Sequence, residues 1–118
     1  MMTVTQIAPN ELKTLLDAKK ALVLDVRSNS EIERTGTIPG AICIPAVEVR
    51  RRARPDSNEF DPVFADAKTI VVFCAIGARS AAVAEVLVEI GYGDVRNLGK
   101  FSDWTGAGLP VARLSDPT

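Results

Sequence analysis

The sequence contains no histidine and only two cysteines among its 118 residues. The absence of histidine excludes Ser-His-Asp and Cys-His catalysis, in which an imidazole takes the proton of the nucleophile. It also leaves zinc without an ordinary set of ligands, because two cysteines cannot fill a tetrahedral site. We therefore expect no metal and no other cofactor, and any cysteine chemistry must depend on backbone dipoles.

The sequence also lacks a strong excess of charge and a long hydrophobic run. The formal net charge is -1 and charged residues make up 25% of the chain, which argues against a nucleic-acid-binding surface. No secretory signal pattern and no apolar run of about 20 residues is present. With 47% hydrophobic residues, we expect one domain over residues 1–118, reduced and cytoplasmic, that binds neither nucleic acid nor membrane.

Residues 69–91 combine a buried strand, a turn that carries a cysteine, and a helix. The apolar run at residues 70–73 predicts a strand covered on both faces, in the middle of a parallel sheet, and Cys74 ends that strand. From Ser80 the apolar residues follow a helical period, and Gly91 provides a stop. Cys74 is therefore predicted to lie just before a helix N-terminus.

A thiol at a helix N-terminus is stabilised as thiolate, with a pKa of roughly 3.5 to 7.5 in known cases against about 8.5 when free. Unpaired N–H groups and the positive end of the helix dipole favour the charge. Gly77 permits a left-handed turn, and the small neighbouring side chains leave the peptide N–H groups free to converge on the sulfur. The predicted site is the nucleophile Cys74 with an anion-binding loop of Ala75, Ile76, Gly77, Ala78, Arg79 and Ser80.

Arg79 has two possible roles in this loop. Its guanidinium either joins the anion-binding groups or pairs with a carboxylate such as Asp25 and holds the shape of the loop. The sequence does not choose between these roles.

The segment CAIGARS at residues 74–80 resembles the active loop of single-domain rhodanese-like sulfurtransferases. The likeness extends over roughly residues 3–111, and it includes Asp25-Val26-Arg27, Glu31, GTIPGA at residues 36–41, and Gly108-Leu109-Pro110. Two positions depart from the family pattern. Thr37 stands where the family usually has histidine, and Gly99-Lys100 stands where Gly-Gly is common, which adds a charge near the expected pocket rim.

The resemblance implies an α/β fold with a central, mostly parallel sheet of about five strands and helices on both faces. It also implies a sulfurtransferase that moves a sulfane sulfur from a small donor such as thiosulfate, through a Cys74 persulfide, to cyanide or a thiol, which can belong to a protein. A monomer or a weak homodimer is expected.

Two other functional classes stay open. One is a rhodanese-like module for persulfide sensing or protein interaction without turnover, although such modules often lack the cysteine. The other is a phosphatase or arsenate reductase of related fold. Loop length argues against it, because four residues separate Cys74 from Arg79 and the phosphatase relatives carry one more.

Other residues near the predicted site have structural explanations. Asp25 and Arg27 lie at the carboxyl end of a strand predicted over residues 21–26. We expect them to form a buried ion pair that supports the loops under the site. Cys43, within a strand predicted over residues 41–44, is expected to be a buried, inert side chain.

Two further groups have alternative interpretations. The arginines at positions 50, 51, 52 and 54 form a solvated helix face, or they bind an acidic partner or an anionic donor. Phe101 and Trp104, in a segment predicted to turn back over the sheet after a strand at residues 94–98, close the domain by packing or line the cysteine pocket.

Overall fold

The apolar run at residues 70–74 forms the central strand of a five-stranded parallel sheet in the computed structural model, which describes residues 3–113. The strands are β1 (Thr5–Gln6), β2 (Leu22–Asp25), β3 (Ile42–Cys43), β4 (Ile70–Cys74) and β5 (Val95–Lys100). Their spatial order is β1-β5-β4-β2-β3. The helices are α1 (Pro9–Asp17), α2 (Asn29–Thr35), α3 (Ala46–Ala53), α4 (Ala78–Ile90) and α5 (Phe101–Gly106), with a 3-10 turn at Pro62–Phe64.

Alternate residues of the central strands supply two hydrophobic cores, one on each face of the sheet. Leu24 and Val72 pack into the core that α3 and α4 cover. Val23 and Val71 point the other way, into the core that α1 and α5 cover. The predicted α/β fold, with its parallel sheet and helices on both faces, is confirmed. A single domain over residues 1–118 stays a prediction, because the chain ends lie outside the described residues.

Helix α4 begins two residues earlier than its apolar period indicates. Its first residue is Ala78, and Gly77 precedes it in a left-handed conformation with φ 96°. The apolar period becomes visible only from Ser80, because the first turn carries no large apolar side chain. The predicted stop is correct, since Gly91 ends the helix at φ 125°.

Strand β5 extends two residues beyond its predicted end, to Lys100, and α5 follows directly where a simple turn was expected. Phe101 and Trp104 are buried in the second core, where Phe101 stacks on Phe73 with ring centroids 5.8 Å apart. The Trp104 Nε1–H donates to the carbonyl oxygen of Pro110 at 2.7 Å. Both aromatic residues therefore close the domain by packing, as the first of the two interpretations held.

Cys43 is half-buried, so the expectation of a fully buried side chain was wrong. The residue ends β3, which is an edge strand of only two residues. An edge strand is covered on one side by its single neighbour, and this leaves part of the thiol accessible. Burial and the nearby Asp25 carboxylate still raise the pKa of Cys43, which keeps it a thiol near neutral pH.

Asp25 and Arg27 form a fully buried ion pair at the carboxyl end of β2. The Arg27 Nη2 and Nε groups donate to the two Asp25 carboxylate oxygens at 2.7 and 2.9 Å, and the guanidinium lies 4.5 Å from the centre of the Phe101 ring. The Thr37 hydroxyl donates to Asp25 Oδ2 at 2.7 Å. Arg27 also donates to the carbonyl oxygen of Gly36 at 2.8 Å, so the pair joins β2 to the loop after α2.

We expect the substitution Asp25→Asn to lower the free energy of unfolding by about 3 kcal/mol or more, because it leaves the Arg27 charge buried without its counter-ion. Urea unfolding followed by circular dichroism measures this change. The matched control is Asp56→Asn, which removes the carboxylate of an exposed pair with Arg54 and should leave the unfolding midpoint nearly unchanged. Equal effects of the two substitutions would contradict the structural role of the buried pair.

Candidate functional site

The junction between β4 and α4 places Cys74 at the carboxyl edge of the sheet. Cys74 is the last residue of β4, and the loop of residues 75–77 leads directly into α4. Gly77 adopts a backbone conformation that side chains disfavour, and a Cβ at this position would lie 3.8 Å from the Cα of Gly99. The glycine therefore allows the sharp turn that directs the first N–H groups of the helix toward the sulfur.

The Cys74 sulfur accepts hydrogen bonds from this helix start. The backbone N–H of Gly77 donates to Sγ at 3.0 Å, and that of Ser80 donates at 3.4 Å. Burial by itself would raise the pKa of Cys74, but the hydrogen bonds from Ser80, Gly77 and Ile76 outweigh it and lower the pKa below that of an ordinary thiol. The site thus stabilises a thiolate without a neighbouring base.

The Ser80 hydroxyl responds to the charge on the sulfur. Its oxygen lies 3.5 Å from Cys74 Sγ and 3.1 Å from the carbonyl oxygen of Gly77. With the thiol, the S–H donates to this oxygen and the Ser80 O–H donates to Gly77. With the thiolate, the single hydroxyl proton can turn toward the sulfur and stabilise the negative charge.

Arg79 pairs with Glu31 and not with Asp25, the carboxylate named from the sequence. Its Nη1 and Nη2 groups donate to the two Glu31 oxygens at 2.7 and 2.8 Å. The hydrogen bond from Arg79 outweighs burial and, with those from Ser28, lowers the pKa of Glu31 strongly. Glu31 also closes the capping box of α2, because its carboxylate accepts the Ser28 N–H at 3.1 Å. The pair therefore joins the first turn of α4 to the first turn of α2.

The nucleophile is buried at the base of its loop. Cys74 has no exposed surface, whereas Ile76 is 75% exposed at the loop tip. The short loop leaves Ile76 no core to enter. Some of the atoms around the sulfur must move before a donor reaches it.

The arginines at positions 50, 51, 52 and 54, in α3 and directly after it, form ion pairs of their own. Arg50 pairs with Glu89, Arg51 with Glu59, Arg52 with Glu48 and Asp61, and Arg54 with Asp56. This arrangement agrees with the interpretation as a solvated face.

A cleft of about 600 Å³ lies at the opposite end of the sheet beside Lys19, Lys20 and Lys68. We place the site at Cys74 because the reactive group and its hydrogen-bond donors are there.

Within residues 3–113, no group of acidic and cysteine side chains is arranged to hold a metal ion. None of the helices in that range is both long and apolar enough to cross a membrane.

Sequence reasoning missed the partners that hold the site together. From the sequence, Glu31 stood out only through the family resemblance, and Thr37 only as a departure from the family pattern. The spacing of Ser28 and Glu31 is that of a capping box, which could have placed Glu31 at a helix start. No signal in the sequence indicates that Arg79, 48 positions away, would bind it.

Comparison with known proteins gives a consistent result. The family model of the rhodanese-like domain matches residues 8–107. The human thiosulfate:glutathione sulfurtransferase is 32% identical over 101 residues, which cover 80% of this chain and 87% of the relative. The thiosulfate sulfurtransferase PspE of Escherichia coli is 35% identical over 83 residues, which cover 68% of this chain and 70% of the relative.

A solved structure from Rhodopseudomonas palustris, a protein of unknown function described as a possible tyrosine phosphatase, resembles this chain with a TM-score of 0.84 and 28% identity. The match covers 92% of this chain and 84% of that one.

We expect the substitution Ser80→Ala to raise the pKa of Cys74, because it removes the hydroxyl that stabilises the thiolate. The rate of alkylation by iodoacetamide, measured against pH in a Cys43→Ser background, reports the thiolate. In the parent protein the rate should rise well below the pH at which a free thiol reacts, and in Ser80→Ala the rise should move to higher pH, with a several-fold lower rate at pH 6.

The matched control for this experiment is Ser102→Ala, which removes an exposed hydroxyl on α5 and should leave the profile unchanged. A parent profile like that of a free thiol would contradict the role of the helix N–H groups.

Proposed function

Because this chain belongs to the rhodanese-like domain family, we propose that it is a sulfurtransferase in which Cys74 carries the transferred sulfur as a persulfide. The observation that carries the proposal is the convergence of the Gly77 and Ser80 N–H groups on Cys74 Sγ, at 3.0 and 3.4 Å. These donors stabilise the attacking thiolate and, after transfer, the negative charge of the persulfide.

In the first step, the Cys74 thiolate attacks the outer sulfur of a donor such as thiosulfate. A bond forms between the two sulfurs, the bond from the outer sulfur to the sulfonate breaks, and its electron pair leaves with sulfite. The charges balance, because a thiolate and a dianion become a persulfide anion and a dianion. The lowered pKa of Cys74 increases the fraction of thiolate that is available for this attack.

In the second step, an acceptor attacks the outer sulfur of the persulfide. Cyanide takes the sulfur and leaves as thiocyanate, or an acceptor thiolate takes it and leaves as a persulfide. In both cases the Cys74 thiolate is restored. The same N–H groups stabilise this leaving thiolate. A protein thiol is an acceptor of the same chemistry, and the exposed Ile76 at the loop tip lies where such a partner would approach.

Arg79 in this proposal maintains the loop and does not bind the donor. Each of its two terminal nitrogens donates one hydrogen bond to Glu31, so a carboxylate compensates its charge before any donor arrives, and the guanidinium also interacts with the Cys74 sulfur. The loop residues Ala75, Ile76, Gly77 and Ala78 carry no charge. Donor binding then depends on backbone N–H groups and on charges outside the loop.

Interaction or sensing without turnover is the alternative that the exposed Ile76 favours. Turnover is the better proposal, because the human and Escherichia coli relatives are named sulfurtransferases. Phosphatase activity is disfavoured, since a phosphate needs a wider ring of N–H donors than a single sulfur and the loop has four residues between Cys74 and Arg79.

We expect incubation with thiosulfate to add the mass of one sulfur atom to the intact protein, and expect cyanide to remove it. The Cys74→Ser variant should form no adduct, while the matched Cys43→Ser variant should form it normally. Intact-protein mass spectrometry measures all three. An adduct that depends on Cys43 would overturn the site, and Cys74-dependent release of phosphate from an aryl phosphate, faster than sulfur transfer, would overturn the reaction class.

We also expect Glu31→Gln and Arg79→Ala to reduce thiosulfate turnover to a similar extent, by about tenfold, because each breaks the pair that fixes the start of α4. The double variant should be no slower than either single variant, since both remove one interaction. The control is Glu59→Gln on the exposed pair with Arg51, which should leave turnover unchanged. Faster turnover in Glu31→Gln would show that the released Arg79 binds the donor.

A further inference from the structure

Lys100 differs from most cations of this protein because it has no acidic partner among the described residues. Of the 14 lysines and arginines, eight lie in ion pairs with Asp or Glu. Five have no acidic partner within residues 3–113: Lys19, Lys20, Arg34, Lys68 and Lys100. Three of these five line the distant cleft, whereas Lys100 lies beside the nucleophile.

A β-bulge in β5 brings Lys100 to this position. Val72 of β4 is paired with Asn97, but the next residue, Phe73, is paired with Gly99, and Cys74 is paired with Lys100. Leu98 is the extra residue of the bulge. Without it, Cys74 would be paired with Gly99, and Lys100 would belong to the other face of the sheet.

The register determines the direction of the side chains. Paired residues of neighbouring parallel strands point to the same face of the sheet, and the strands are about 4.8 Å apart. Cys74 points to the face that α3 and α4 cover, so the bulge directs Lys100 to that face at the same edge. Gly99, at φ 88°, permits the bulge.

Two arginines near the sulfur are already compensated by carboxylates. Arg79 is compensated by Glu31 and Arg27 by Asp25, and Lys100 is exposed and unpaired. Asp103, three residues further along the chain, forms no ion pair with it. An anion that approaches Cys74 therefore meets one uncompensated positive charge beside the loop.

We propose that Lys100 determines donor specificity. Its charge attracts donors whose leaving group is an oxyanion, and it holds that group while the sulfane sulfur faces Cys74. This inference rests on the proposed sulfur transfer and adds a residue that selects among donors by their charge. Two unit charges about 4 Å apart in water attract by about 1 kcal/mol, and salt screens part of this. Removal of the lysine charge should therefore lower kcat/KM about threefold per donor charge, or about tenfold for a dianion.

The first test compares two donors with the same chemistry and different charge. Thiosulfate is a dianion, whereas methanethiosulfonate is a monoanion that transfers its outer sulfur to the thiolate and leaves as methanesulfinate. In Lys100→Gln, kcat/KM should fall about tenfold for thiosulfate and about threefold for methanethiosulfonate, mainly through KM. Lys100→Arg should restore both, 0.5 M salt should remove most of the difference, and the control Lys68→Gln should change neither.

A second test does not depend on sulfur transfer. In a Cys43→Ser background, Cys74 is alkylated by iodoacetate, which is an anion, and by iodoacetamide, which is neutral. Lys100→Gln should lower the rate with iodoacetate about threefold and leave the rate with iodoacetamide unchanged.

The two tests separate the possible failures. A protein that transfers no sulfur but shows the iodoacetate effect would overturn the proposed function and keep the role of Lys100 in attracting anions. If Lys100→Gln lowers kcat/KM equally for both donors in an active protein, or lowers the alkylation rate with both reagents, the specificity role is overturned. The lysine then supports the loop. An active protein with unchanged kinetics in Lys100→Gln would also overturn it.

Discussion

The site depends on the hydrogen bonds that the first N–H groups of α4 donate to the sulfur of Cys74. A buried thiolate is costly unless donors compensate its charge, and without histidine no side-chain base can form the thiolate on demand. The Gly77 N–H at 3.0 Å and the Ser80 N–H at 3.4 Å supply this compensation. Any change that rotates the helix start moves the donors away from the sulfur, so the rest of the structure must fix that start.

Two ion pairs hold the elements around it. The Arg79–Glu31 pair joins the first turns of α4 and α2, and the buried Asp25–Arg27 pair joins β2 to the loop after α2. Both arginines therefore connect neighbouring elements at this edge of the sheet. Thr37 completes the second pair, since its hydroxyl donates to Asp25 at 2.7 Å. A neutral hydroxyl at this position satisfies the carboxylate at any pH, whereas a histidine there would titrate near neutrality.

The burial of Cys74 connects the structure to its dynamics. A sulfur without exposed surface is protected from oxidation between turnovers, because oxidants reach thiolates according to their exposure. The proposed reaction then requires movement of some of the atoms around the sulfur. The Arg79–Glu31 pair can hold the start of α4 in place meanwhile.

The sequence alone determined the fold class, the position of Cys74 between a strand and a helix, and the loop that surrounds it. These features are local, because hydrophobic period, glycine positions and helix starts are written in neighbouring residues. Tertiary structure decided the rest. Arg79 binds Glu31, which lies 48 positions away in the sequence, and Asp25 accepts a hydrogen bond from Thr37, which lies 12 positions away. No local pattern specifies such contacts. Lys100 reached the face of Cys74 only because strand pairing places a bulge at Leu98, and a shift of one residue in register reverses the face of every side chain that follows.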